Sequence, residues 1–526
     1  MKVLVTDNVA QEGVNVLLGQ PGIEVEVRNK ITEDELVAII PEFDAIIVRS
    51  ATKVNRRVMD AGVNLKVIGR AGVGVDNIDV KYATEKGIIV VNAPEGNTIA
   101  ATEHTMALML ALARNVPQAD AAMKAGIWNK KAFTGVELRN KTLGVLGLGR
   151  IGSGVAKRAQ AMEMNVIAYD PYISEERAQE LGVKLMSLDE VIANADFITV
   201  HMPKTKETYH MIDERAIRLM KPGVRIINCA RGGIVDEDAL YEGMTAGKVA
   251  GAALDVFEVE PKTDSPLFKL PNFICTPHLG ASTCEAQVCV ATDVAEEIIA
   301  ALRGDLVRNA VNIPSLRPDI LKAIRPFLDL AEKMGRFHAQ LLSGRIRRVE
   351  ITYSGELADK PVSPITTAIV KGILDTILQE RVNFVNAMIV AKNRGIEVNE
   401  TKSDREEDYS SLMTVKVIAS ESQHELAGTL FQGSDPRVVL IDGYRVDAVL
   451  SGHMLVVPHI DKPGIIGRVG TLLGEHEVNI AAMQVGRKVV GGKAVMMLVI
   501  DSPVPAPALD EMRKVNGIID VRMVSL

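Results

Sequence analysis

The chain has 526 residues, 47% of them hydrophobic, and a formal charge of −7. Three or four domains with sizeable cores are expected at that length, and the acidic balance gives no electrostatic case for nucleic acid or an anionic membrane surface. Four cysteines without a CxxC pair leave metal clusters and redox dithiols unsupported.

Met1–Asp7 reads as a buried strand and not as a secretory leader. To about residue 97, strands are predicted at Val3–Thr6, Val25–Val27, Ala45–Val48, Val67–Gly69 and Ile88–Asn92. Helices at Glu33–Ile40 and Arg56–Ala61 would join them in a parallel α/β pattern. This part lacks a glycine fingerprint and reads as a substrate-binding unit. A long apolar helix follows at Thr98–Arg114, in which Met106–Ala113 is too short to cross a bilayer. A soluble, cytoplasmic chain is expected.

Next comes Gly147-Leu-Gly-Arg-Ile-Gly152, between apolar runs at Lys141–Leu146 and Asn165–Tyr169. Ile151, Val155, Ala156, Ala159 and Met162 recur between the runs at helical spacing. Glycines at Gly147, Gly149 and Gly152, opening a helix, bring backbone N–H groups and the helix dipole to a pyrophosphate. Asp170, ending the second strand, can hold ribose hydroxyls. Its charge would repel a 2′-phosphate, and Pro171–Glu176 offers no arginine to receive one, so NAD is favoured over NADP.

Further strands are predicted at Phe197–His201, Arg225–Cys229, Ala250–Asp255 and Phe273–Thr276, before a helix at about Ser282–Arg303 that returns to the first unit. The prolines of Asn312–Pro318 suggest a linker. Residues 319–450 read as a mixed region, with strands at Arg347–Ser354, Ser411–Ser420, Val438–Ile441 and Tyr444–Leu450 and an exposed loop at Asn399–Ser410. In the tail, strands at His453–Pro458, Val478–Val485, Ala494–Ile500 and Ile518–Val524 surround helices at about Gly464–His476 and Ala506–Val515. That order, βαββαβ, is ferredoxin-like.

The fold class expected is therefore α/β, with two Rossmann-like parallel-sheet domains. One is a split substrate domain (1–97 with 284–316) and the other an inserted NAD domain (98–283). An α+β intervening domain (317–450) and a ferredoxin-like tail (451–526) complete the chain.

Arg231, Glu260 and His278 each follow an apolar run. They should emerge at the carboxyl ends of parallel strands, where ligands sit in such sheets. Their types suit oxidation of a 2-hydroxy acid. An arginine pairs with the carboxylate through two hydrogen bonds, and a histidine takes the hydroxyl proton as hydride leaves. A carboxylate beside the histidine fixes the ring. Asp255 is then available to face the nicotinamide side.

Gly69–Asp79, Leu143–Gly152, Asn228–Asp236 and Pro277–Ser282 closely resemble the D-isomer-specific 2-hydroxyacid dehydrogenases, and the resemblance covers essentially the whole chain. It implies Arg231, Glu260 and His278 as the catalytic set, with His278 the general acid/base. Cofactor contacts are implied at Val73, Arg150, Ile151, Asp170, Met202, Cys229, Ala230, Arg231, Asp255, His278 and Gly280. For substrate it points to Arg49, Ser50 and Arg70, and the turn at Gly72, Val73 and Gly74 offers amides to a carboxylate. The tail resembles an ACT domain, with His459, Asp461, Gly464 and Asn479 matching its effector loop. Implied overall is oxidation of 3-phospho-D-glycerate by NAD to 3-phosphooxypyruvate, the entry to serine synthesis, under feedback by L-serine. A homodimer or homotetramer is implied too; no nucleic acid, membrane or metal is. A glyoxylate or hydroxypyruvate reductase and a non-enzymatic, NADH-sensing scaffold are the alternatives.

Overall fold

Short apolar runs alternating with helices build the first of four β-sheets. In this computed structural model, which describes residues 1–305, 307–313, 318–378, 382–403 and 408–526, it is five-stranded and parallel. Its order is Glu24–Arg28, Lys2–Thr6, Ala45–Val48, Val67–Arg70 and Ile89–Asn92. Successive side chains of a strand point to opposite faces. Val3, Val5, Ala45 and Ile47 accordingly enter a core completed by Val290, Val294 and Ile298 of the helix Cys284–Arg303. Leu4, Ile46, Val48 and Ile68 enter a second core with Leu36 and Val58 on the other face. The helix Cys284–Arg303 thus packs on the first sheet, although it follows the last strand of the second.

Seven parallel strands make that second sheet, ordered Phe273–Cys275, Val249–Leu254, Val224–Asn228, Phe197–Val200, Thr142–Leu146, Asn165–Tyr169 and Lys184–Leu185. Strand order reverses between Thr142–Leu146 and Phe197–Val200. Such a switch point opens a crevice at the carboxyl ends of the strands. The helix Thr98–Arg114 leads in from the first sheet and buries Met109 and Leu112 against Leu143, Val145 and Ile227.

The third sheet is mixed, in the order Glu397–Ser403, Ile346–Gly355, Ser411–Ala419, Gln423–Phe431, Asp435–Ile441 and Tyr444–Ala448. It corrects the sequence reading at two strands. Glu397–Ser403, most of it expected as a loop, is an edge strand paired in parallel with Ile346–Gly355. Its side chains are mostly exposed, so no apolar alternation betrays it, and backbone hydrogen bonds hold it. The strand Gln423–Phe431 was not expected. The helices of the expected α+β domain, which the sequence left unplaced, are Pro318–Leu341 and Ser363–Ile377 among others, and they bury Phe337, Ile365 and Ile369 against Val349, Ile351 and Val415. Residues 404–407 of the expected loop, and 314–317 of the expected linker, lie outside the described residues.

In the tail, the sheet runs Ile480–Arg487, Lys493–Ile500, His453–Ile460 and Arg522–Ser525, all antiparallel. Leu455, Val457, Met496 and Leu498 face its own helices, Ile465–Glu475 and Ala506–Arg513. Met454, Val456, Val495 and Met497 face the other way, into the core of the third sheet. Gln340 secures this seam by exchanging two 2.9 Å hydrogen bonds with the Ser525 backbone. Among the described residues, no helix is long and apolar enough to cross a membrane.

Candidate active site

The glycine loop lies at the switch point, between the strand Thr142–Leu146 and the helix Arg150–Ala161. Gly147 has φ +94°, and a Cβ there would sit 2.7 Å from the His201 carbonyl oxygen. One on Gly152 would come within 2.0 Å of the Gly147 carbonyl oxygen. Beside Gly149, by contrast, a Cβ would meet nothing within 4 Å. Open space therefore adjoins the first N–H groups of the helix, as a pyrophosphate requires. Asp170 accepts hydrogen bonds from the amides of Leu148 (2.8 Å) and Tyr172 (2.9 Å). This holds its carboxylate against the loop with lone pairs left for ribose hydroxyls. Met202 is buried against Gly147, and Ile151 is half-buried at the helix start. The residues present fit NAD.

Arg231, Glu260 and His278 leave the carboxyl ends of three neighbouring strands, Val224–Asn228, Val249–Leu254 and Phe273–Cys275. The side chain of Asn228 shapes the first turn, accepting from Ala230 N and donating to the Arg231 carbonyl. The next residue, Gly232, approaches so closely that a Cβ would lie 1.7 Å from the Phe257 carbonyl oxygen. Phe257 N in turn donates to Glu260 Oε1 (3.0 Å), and Glu260 Oε2 meets His278 Nδ1 at 2.7 Å. Burial opposes ionisation of Glu260, but the hydrogen bonds from His278 and the Phe257 amide outweigh it and hold the carboxyl below its ordinary range. His278 has φ +56°, rare for a residue with a side chain. The turn is clamped by Asp255, whose backbone oxygen accepts from His278 N and whose carboxylate accepts from Leu279 N (2.7 Å) and Gly280 N (2.8 Å). Cys229 is buried beside this turn, and burial pushes its thiol up to about 12.

From the first sheet, the turn after Val67–Arg70 brings Gly72, Val73 and Gly74 to the same place. A Cβ on Gly74 would sit 2.1 Å from Arg231 Nη2, and Asn92 donates to the Val73 carbonyl. Arg70 is largely buried, and its Nε has no partner. Burial first, then repulsion by Arg231 and Arg49, push its guanidinium down to about 10. Arg49 donates to the Asn8 carbonyl, and its amide is held by Asp7; Ser50 beside it is exposed. Two carboxylates missed in the sequence reach across the cleft from this side. Asp76 meets Arg231 Nε at 3.2 Å, and Glu95 meets Arg150 Nη2 at 3.1 Å. Asp76 stands inside the motif Gly69–Asp79, but its partner is 155 positions away.

One cluster among the described residues has a donor set suited to a metal ion, namely His210, Asp236 and Glu258. Both ring nitrogens of His210 are engaged there, by Asp236 at 3.3 Å and Glu258 at 2.6 Å. The Glu258 contact is a hydrogen bond, and the Asp236 oxygen stands at ion-pair distance.

The four effector candidates do not meet. His459 is buried, and Asp461 pairs with Arg487 (2.8 Å) at the Lys493 end of the neighbouring strand, followed by Gly464 at φ +90°. Asn479 donates to Asp501 (2.7 Å) beyond the other end of that eight-residue strand. At about 3.3 Å per residue the two ends are roughly 23 Å apart.

Residues 106–280 match the family model of the D-isomer specific 2-hydroxyacid dehydrogenase NAD binding domain. Residues 323–442 match the D-3-phosphoglycerate dehydrogenase intervening domain, and 453–517 the ACT domain. The chain is 51% identical to a D-3-phosphoglycerate dehydrogenase of Archaeoglobus fulgidus, with 100% of both chains covered. It is 50% identical to one of Synechocystis, covering 100% of this chain and 95% of that one. A D-lactate dehydrogenase of Aquifex aeolicus, solved with NAD and lactic acid, superposes with a TM-score of 0.53 at 34% identity, over 60% of this chain and all of that one. The chain belongs to the D-3-phosphoglycerate dehydrogenases, within the D-isomer-specific 2-hydroxyacid dehydrogenase family.

Proposed function

We propose that the chain oxidises 3-phospho-D-glycerate to 3-phosphooxypyruvate with NAD, the entry step of serine synthesis, in the cytoplasm. One observation carries this reading: the largely buried Arg70 guanidinium, its Nε without a partner, shares the cleft with Arg49, Arg231 and the His278–Glu260 pair. Clustered guanidiniums suit a substrate bearing both a carboxylate and a phosphate. Arg231 pairs with the carboxylate and polarises the neighbouring oxygen. His278 takes the hydroxyl proton at Nε2, because Glu260 engages Nδ1. NAD, when bound along the glycine loop, supplies the hydride acceptor.

Turnover is read as NADH formation. Arg231→Ala and His278→Ala should each lower kcat by roughly 100- to 10,000-fold. Undiminished turnover in either variant overturns the roles. A kcat/KM for glyoxylate or hydroxypyruvate above that for the phosphorylated acid would favour the reductase reading. No turnover on any hydroxy acid, with NADH-dependent capture of a protein partner, would favour the sensing scaffold.

L-Serine is the proposed effector at the ACT domain, through His459, Asp461, Gly464 and Asn479. The separation of Asp461 from Asn479 supports a site completed by a second copy, and hence a homodimer or homotetramer.

A further inference from the structure

The turn that carries His278 has a support outside its own strand. Asp255, at its base, is fully buried. Its Oδ1 accepts from Leu279 N and from Thr276 Oγ1 (2.6 Å), and its Oδ2 accepts from Gly280 N. His104 Nε2 lies 3.2 Å from Asp255 Oδ1 and 3.1 Å from Thr276 Oγ1.

These contacts assign the tautomer. A hydroxyl has one proton, and the short Thr276–Asp255 bond uses it. Thr276 can then only accept from His104, and the Asp255 carboxylate can only accept. Nε2 of His104 must therefore carry the proton and donate it to Thr276 Oγ1, with the Asp255 carboxylate at ion-pair distance beside it. The ring belongs to the helix Thr98–Arg114, whose start adjoins the first sheet and whose body packs on the second. It is the one side chain from outside the strand-end turn that reaches the Asp255 carboxylate among its described contacts.

We propose that His104 is a positioning residue for hydride transfer. By donating to Thr276, which itself donates to Asp255, and by lying against that carboxylate, it steadies the group that holds the amides around His278 and ties that turn to the helix connecting the two sheets. It touches neither substrate nor the reacting atoms. Without this donor, Thr276 and Asp255 lose their tie to the helix, the His278 turn shifts, and alignment of the imidazole with the substrate hydroxyl is impaired. Binding of the acid, which depends on Arg231, Arg70 and the 72–74 turn, is left alone.

This inference rests on the dehydrogenase reading above, and its test separates the two. Wild-type protein, His104→Leu and His104→Gln are assayed with NAD and 3-phospho-D-glycerate, protonated or deuterated at C2, and their thermal unfolding is recorded. Expected is a kcat for His104→Leu roughly tenfold below wild type, with KM for the acid within twofold and an enlarged deuterium effect on kcat. His104→Gln, which keeps an N–H donor, should recover most of the loss. A His104→Leu kcat within twofold of wild type overturns the inference. So does a loss that the glutamine does not relieve, or one accompanied by an equal rise in KM or a collapse in thermal stability. Absence of turnover by the wild type would instead overturn the dehydrogenase reading itself.

Discussion

At the scale of single residues, the Glu260–His278 pair ties chemistry to pH. Glu260 is held below the ordinary carboxylate range, against the pull of burial, by hydrogen bonds from His278 and the Phe257 amide. A depressed acid contributes above its unfolded value and loses that contribution as pH falls through the folded one. The part of the acid limb of kcat/KM due to Glu260 should therefore lie below the usual carboxylate range, roughly pH 4. Glu260→Gln should remove that part and lower kcat about tenfold or more; a pH–rate profile identical to the wild type would refute the assignment. Arg231, Glu260 and His278 were legible because each is a polar residue following an apolar run. Asp76, Glu95 and His104 were not. Their partners are distant in the chain, and His104 sits in a short polar stretch, Thr102–Thr105, that carries no sign of its partner.

Among the elements, the two helices over the third sheet show how close approach is encoded. A Cβ on Gly335 would sit 2.2 Å from the Ile369 carbonyl oxygen, and one on Gly372 would sit 2.2 Å from that of Glu332. The backbones of Pro318–Leu341 and Ser363–Ile377 therefore touch at a pair of glycines, and any side chain must push them apart. Gly372→Val should destabilise the fold by about 1–3 kcal/mol, seen as a lower midpoint of thermal unfolding; an unchanged midpoint would contradict the packing. Most strands of the first two sheets could be read to within a residue or two, because burial on both faces makes them continuous apolar runs; Glu24–Arg28 showed through alternation instead, and the two-residue Lys184–Leu185 was missed. Glu397–Ser403 could not, since an exposed edge strand is held by backbone hydrogen bonds and carries no apolar pattern.

For the whole molecule, the tail raises a question of copies. One face of its sheet is buried on the third sheet and the other under its own helices. Asp461 and Asn479 occupy opposite ends. If serine binds between copies, Asp461→Ala and Asn479→Ala should each abolish inhibition, while mixed oligomers of the two variants regain sites in which both residues are native. Partial return of serine inhibition on mixing, at unchanged total protein, is the expected outcome; none would argue for a site within one chain. Inhibition also requires serine to favour one conformation, so bound NAD or substrate should shift serine affinity reciprocally.

Local order was enough for the strand–glycine loop–helix unit, the acid ending the next strand and the βαββαβ tail, because each depends on periodicity and spacing over a few tens of residues. Pairings between remote positions were settled by three-dimensional packing. The return of the helix Cys284–Arg303 to the first sheet was expected from the sequence, but packing decided that Val290, Val294 and Ile298 complete the core there. The Asp76–Arg231 and His104–Asp255 contacts exist because strand order brings separate ends of the chain to one crevice. Ion pairs and hydrogen bonds act through distance in space, and linear order does not carry that distance.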